Sequence, residues 1–181
     1  MTEQDRQTNG EAQSAGADGE PTPTDEQRLS RRQVDQDRTL DAMQALEAEL
    51  SRPFPRREIA WREAILDALG ILAEATHEEA ANAAQPDSLL SDLAQRQPRL
   101  RNRVRALRVQ YRHLQEAIDA CQQTLIAEPE DITISDIRDD LARVLSGFRD
   151  QRAKESDLLY EAYYDAFRSD LPHDAERELG S

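Results

Sequence analysis

Hydrophobic positions along this chain recur at helical rather than strand intervals. One inward-facing series runs Ile137, Leu141, Val144, Phe148, Gln151, Glu155, Leu158 and Ala162, alternating steps of four and three residues so that a single helical face stays turned toward a partner. A second series, Leu100, Val104, Leu107, Tyr111, Leu114, Ile118, Cys121 and Leu125, keeps the same spacing without a slip. Together they predict two long amphipathic helices, over about 99–127 and 134–168.

The amino half predicts two more. A helix over about 31–52 carries Val34, Leu40, Met43, Leu46 and Leu50 on one side and stops before Pro53 and Pro55. The next, over about 56–83, carries Ile59, Trp61, Ile65, Leu66, Leu69, Leu72, Thr76 and His77, and Pro86 ends it. His77 follows Leu66 by three helical turns and is expected to face inward or sit at the rim. A connector over 84–98 holds a short helix at Asp87 to Leu93 and is closed off by Pro98. Glu128 to Asp131 makes the last turn, and Ser135 is placed to cap the helix that follows.

Residues 1–30 have almost no large apolar side chains and many acids, Gly, Ser, Thr and Pro, so they predict a disordered acidic tail. Residues 169–181 are polar and predict frayed chain. The fold class that follows is all-α, an antiparallel up-down four-helix bundle over 31–168. A long helical hairpin that dimerises through the same stripes is the alternative. Composition agrees, with 38% hydrophobic but only 4% aromatic residues and few glycines.

A formal charge of -14 argues against nucleic acid or an anionic membrane as the general partner. A basic strip interrupts it: Arg96, Arg99, Arg101, Arg103, Arg105, Arg108 and Arg112 fall in a stretch without Asp or Glu. These arginines either pair with acids on neighbouring helices or receive an acidic partner or anion. The single cysteine, Cys121, allows no internal disulfide and belongs to a core stripe. With no long apolar run and no apolar leader, a cytoplasmic setting is expected.

Gln151 and Glu155 stand on an inner stripe, where an unpaired carboxylate or amide costs roughly several kcal/mol. Any chemistry belongs there. Around them, the runs RVRALRVQYRHLQEAIDA (103–120) and ITISDIRDDLARVLSGFRDQRAKESDLLYEAYYDAF (132–167) resemble the last two helices of hemerythrin-like (HHE cation-binding) proteins. The resemblance implies a four-helix bundle whose His and carboxylate side chains hold two irons, with a His-x3-Glu pair on the second helix, a His on the third, a second such pair on the fourth and a His on the first. This chain departs from that set. The second-helix pair reads His77 and Ala81, the third-helix position falls on Tyr111, the fourth-helix pair reads Gln151 and Glu155, and the first helix has no His. Only His77 and Glu155 keep the family's donor types.

The expectation is therefore no catalytic residue, no cofactor and no metal, with di-iron as the alternative. His77, Tyr111, Gln151 and Glu155 are expected to converge and satisfy one another by hydrogen bonds in the emptied cavity. His113, which with Glu116 would form a substitute donor pair on the third helix, is expected on the solvent side, and His173 in the tail. Tyr160, Tyr163, Tyr164 and Phe167 either pack against the first turn, including Phe54, or form a partner patch, while Trp61 is expected in the core. No phosphate loop or nucleophile motif is present. The reading that results is a non-enzymatic bundle serving as an interaction or regulatory module, monomer or homodimer, with an unidentified protein partner. Its alternatives are an atypical iron- or oxygen-binding or sensing protein and a dimeric coiled-coil scaffold.

Overall fold

The computed structural model describes residues 23–53, 58–127 and 133–170, with side chains as far as 164 in the last stretch. The described residues form α1 (Asp25–Ser51), α2 (Glu58–Ala84), a short α3 (Leu89–Arg96), a 3-10 turn (Pro98–Leu100), α4 (Arg101–Ala127) and α5 (Ile134–Asp170). The fold is an all-α four-helix bundle of α1, α2, α4 and α5. Asn82, near the end of α2, donates to Asp35, near the start of α1, at 3.0 and 3.1 Å.

Helix α1 starts at Asp25, so residues 23–30 are not tail as their polarity suggested. Thr24 nucleates it through a capping box: its hydroxyl accepts from the Gln27 amide at 3.3 Å, and the Gln27 side chain accepts from the Thr24 amide at 2.8 Å. Residues 1–22 lie outside the described residues. The inner face of α1 also differs from the expected one. Arg28, Arg32, Thr39, Ala42, Met43 and Leu46 are buried, whereas Val34 and Leu40 are 57% and 39% exposed. Val34 lies two residues from Arg32, about 200° around the helix, and cannot share its face.

In α2 the core register is Ile65, Leu69, Leu72, Thr76 and Glu79, all buried, with Trp61 buried as expected. Ile59 is 75% exposed and His77 is exposed, both contrary to expectation. Helix α3 begins after Ser88, whose hydroxyl accepts from the Ser91 amide at 3.2 Å. In α4 every residue of the predicted spine is buried, Cys121 included. The cap of α5 is Thr133 rather than Ser135: its hydroxyl accepts from the Asp136 amide at 3.2 Å, and Asp136 accepts from the Thr133 amide at 2.8 Å. Every residue of the predicted α5 stripe is buried. Gly147 lets α5 approach α4 closely, since a Cβ there would stand 2.9 Å from Leu114 Cδ2.

The core has two apolar compartments. The larger gathers Met43, Leu46, Ile65, Leu72, Ile118 and Phe148; the smaller gathers Leu90, Leu100, Val104, Leu107, Leu158 and Ala162. Along each long helix, polar buried residues fall between the two, at Arg32 and Thr39, at Thr76 and Glu79, beside Tyr111, and at Gln151 and Glu155.

Several arginines of the basic strip pair as expected. Arg96 bonds Asp25 at 2.9 Å and Asp92 at 3.0 Å, and Arg99 and Arg103 share Glu161. The first turn, expected to receive the tyrosines at the end of α5, lies largely outside the described residues. Tyr160, Tyr163 and Tyr164 are exposed, and Tyr163 lies near Asp25 and Arg96 at the other end of α1. Phe54 and the Phe167 side chain are outside the described residues. Among the described residues no helix is long and apolar enough to cross a membrane.

Candidate functional site

The polar layer is built around Arg32. Every long helix contributes to the group at and directly around the guanidinium, Arg32 from α1, Glu79 from α2, Tyr111 from α4 and Glu155 from α5, and each of these is at least nineteen-twentieths buried. The two nitrogens Nε and Nη2 donate to Glu155 Oε1 and Oε2 at 2.5 and 2.6 Å, a bidentate fork that matches the planar guanidinium to the planar carboxylate. Nη2 also lies 2.8 Å from Glu79 Oε1 and donates to the Tyr111 hydroxyl. That hydroxyl donates to Glu79 Oε1 at 2.6 Å, and Thr39 donates to Glu79 Oε2 at 2.5 Å. The guanidinium carbon stands 5.6 Å from the centre of the Tyr111 ring.

Burial opposes the charge on Arg32, but the fork with Glu155 and the nearby Tyr111 and Glu79 oxygens more than reverse this, so its pKa is raised and the cation is held. Burial pushes the Tyr111 phenol well above its usual value. Glu155 and Glu79 add to that rise while Arg32 opposes it, so the phenol stays neutral and donates to Glu79.

Three of the four residues expected to converge lie in the layer, but only Tyr111 and Glu155 are bonded there. Gln151 is buried one turn before Glu155 on the same face and takes no part in the hydrogen bonds of Arg32. His77 and Ala81 are exposed on α2 and do not reach the site. Leu66 is a half-buried flank residue, so a register counted from it points to His77. Counting from Ile65 and Leu72 by sevens arrives at Glu79 instead, and counting back from Leu46 by sevens passes Thr39 to Arg32. That register was the available signal for both missed residues. His113 is exposed as expected, Glu116 is exposed as well, and His173 lies outside the described residues.

A di-iron pair does not fit this arrangement. Its oxygen donors, Glu79, Tyr111 and Glu155, all converge on a guanidinium already bonded to them, and the layer has no imidazole. Among the described residues no group of three or more His, Cys, Asp or Glu could hold a metal ion.

Two cavities open nearby. One of about 310 Å³ lies between α1 and the α2–α3 junction, bordered by Arg28, Arg32, Asn82, Ser88 and Leu90. The other, of about 290 Å³, lies between α2 and α4. No protein-family model, curated protein or solved structure matches this chain.

Proposed function

We propose that this chain is a non-enzymatic, hemerythrin-like up-and-down bundle in which an internal guanidinium stands where the resemblance would place metal, and that it acts as an interaction or regulatory module in the cytoplasm. The observation that carries this reading is the Arg32 fork. A positive charge supplied by α1 pairs with inward carboxyl groups from α2 and α5, and the Tyr111 and Thr39 hydroxyls donate to the Glu79 carboxyl, so the polar layer closes on the protein's own groups. The burial of Tyr111, Gln151 and Glu155, which occupy positions where the resemblance would put ligands, also supports it. Tyr111 is neutral and engaged with Glu79, so its hydroxyl serves the network rather than acting as a nucleophile. Because the inner stripes of all four long helices are already buried within one chain, a dimeric coiled coil through those stripes is not favoured.

Metal analysis of protein from an iron-supplemented culture tests the reading. Fewer than about 0.1 metal ions per chain, with a melting temperature unchanged by chelator, is the expected result. About two irons per chain with visible absorption from oxo-bridged iron would overturn it in favour of an iron- or oxygen-binding protein.

A further inference from the structure

Arg101, Arg105, Arg108 and Arg112 recur on α4 at steps of four, three and four, which places them along one stripe. Arg108 is tied inward, its Nη2 donating to the Ala83 carbonyl at 3.1 Å and to Ser91 Oγ at 2.6 Å. Arg101, Arg105 and Arg112 are exposed and have no ion pair or hydrogen bond to any described residue. Like charges four residues apart weaken a helix, and this stripe keeps two such pairs in a protein of net charge -14. Folding gains nothing from leaving them unneutralised.

The cavity of about 290 Å³ between α2 and α4 adjoins this stripe. Ala80, Ala84 and Val109 make its apolar wall, and Arg105, Arg108 and Arg112 its charged one. Its volume suits one or two side chains rather than a large cofactor. The 310 Å³ cavity is a weaker candidate because its arginines are already engaged: Arg28 with Asp25 and Asp92, Arg31 with Asp87, Arg32 with Glu79 and Glu155.

We propose that the α2–α4 groove docks an acidic peptide segment of another protein, with an apolar side chain in the hollow and carboxylates on Arg105 and Arg112. The proposal rests on the reading of the chain as an interaction module and names the surface and the partner's chemistry. Charge complementarity carries it. Cations with no partner among the described residues sit on an otherwise acidic molecule, so an acidic segment is repelled elsewhere and steered here. Arg105 and Arg112 are two turns apart, about 10.5 Å along the axis. Carboxylates seven apart on a docked helix, or three apart on an extended strand, match that distance. The chain's own residues 1–22 are acidic but offer Met1 as their one large apolar side chain, which leaves the hollow without an anchor.

Selection of a random dodecapeptide phage library on the immobilised full chain tests this. Enriched sequences are expected to be acidic with an aliphatic or aromatic residue. Anisotropy of the best labelled peptide should show binding that weakens about tenfold or more in R105E/R112E, whose helicity is unchanged, and similarly in Ala80→Leu, which fills the hollow. Neutral or basic winners would overturn the proposal. Acidic winners that bind R105E/R112E as tightly as the parent would overturn the groove while leaving the module reading intact. Failure to enrich any peptide would also overturn the groove, the module reading then resting on metal content. Release of the peptide by millimolar inorganic phosphate would mark a bare anion site and overturn it. Binding about tenfold tighter to a chain starting at Pro23 would make the protein's own segment the occupant, with the same consequence.

Discussion

Arg32 and Glu155 stand 123 positions apart in the chain and meet fork to fork in its interior, at 2.5 and 2.6 Å. Both are almost wholly screened from water. Neither could be buried alone, because an unpaired charge in such a place is strongly unfavourable.

Arg32→Met is therefore expected to destabilise the bundle by about 3–5 kcal/mol, since it leaves two carboxyl groups facing apolar surface. Urea unfolding measures this. Adding Glu79→Gln and Glu155→Leu to the same chain should restore most of the loss, because the pair as a whole contributes little net stability. A triple variant no more stable than Arg32→Met would show that the fork is not the source of the effect.

Tyr111→Phe should lose about 1–3 kcal/mol, as Arg32 and Glu79 each lose a partner. A pH signature accompanies it. The folded pKa of Tyr111 is raised above the ordinary phenol value of about 10, so its contribution is complete below that pH and is lost as pH rises through the folded value. Denaturant midpoints taken between about pH 9 and 11 should fall more steeply for the parent than for the Phe variant. Parallel curves would contradict the assignment.

A chain beginning at Pro23 should be clearly more stable than one beginning at Arg31. The second lacks the Thr24 cap, worth about 1 kcal/mol, and the Arg28 bonds to Asp92 and to the Asp87 carbonyl. Equal melting temperatures would place the functional start of α1 later than Asp25.

Leu46→Ala and Ile65→Ala each remove a fully buried side chain and should cost about 2–5 kcal/mol. Val34→Ala and Ile59→Ala, on exposed faces, should stay within about 0.5 kcal/mol. Thermal unfolding of the four variants checks the register of α1 and α2 directly.

The parts legible in the sequence were those where hydrophobicity marks the inside. The spines of α4 and α5 consist almost wholly of apolar residues, and each predicted position is buried. Part of the inner face of α1 is arginine, so hydrophobicity alone points Val34 and Leu40 to the core and residues 23–30 to the tail. The same blindness hid half the site. Tyr111 and Glu155 showed themselves as polar interruptions of apolar stripes, whereas Arg32 and Glu79 sit in polar surroundings and emerge only from heptad counting. His77 drew attention by its residue type, but the helix turns it to water.

The layer between the two apolar compartments also governs which alternative packings are open to the molecule. Sliding α1, α2 or α5 by one turn, about 5.4 Å, would strand a guanidinium or carboxyl group among apolar side chains. Oily stripes alone tolerate such slippage, whereas this bundle has a single alignment in which its charges meet.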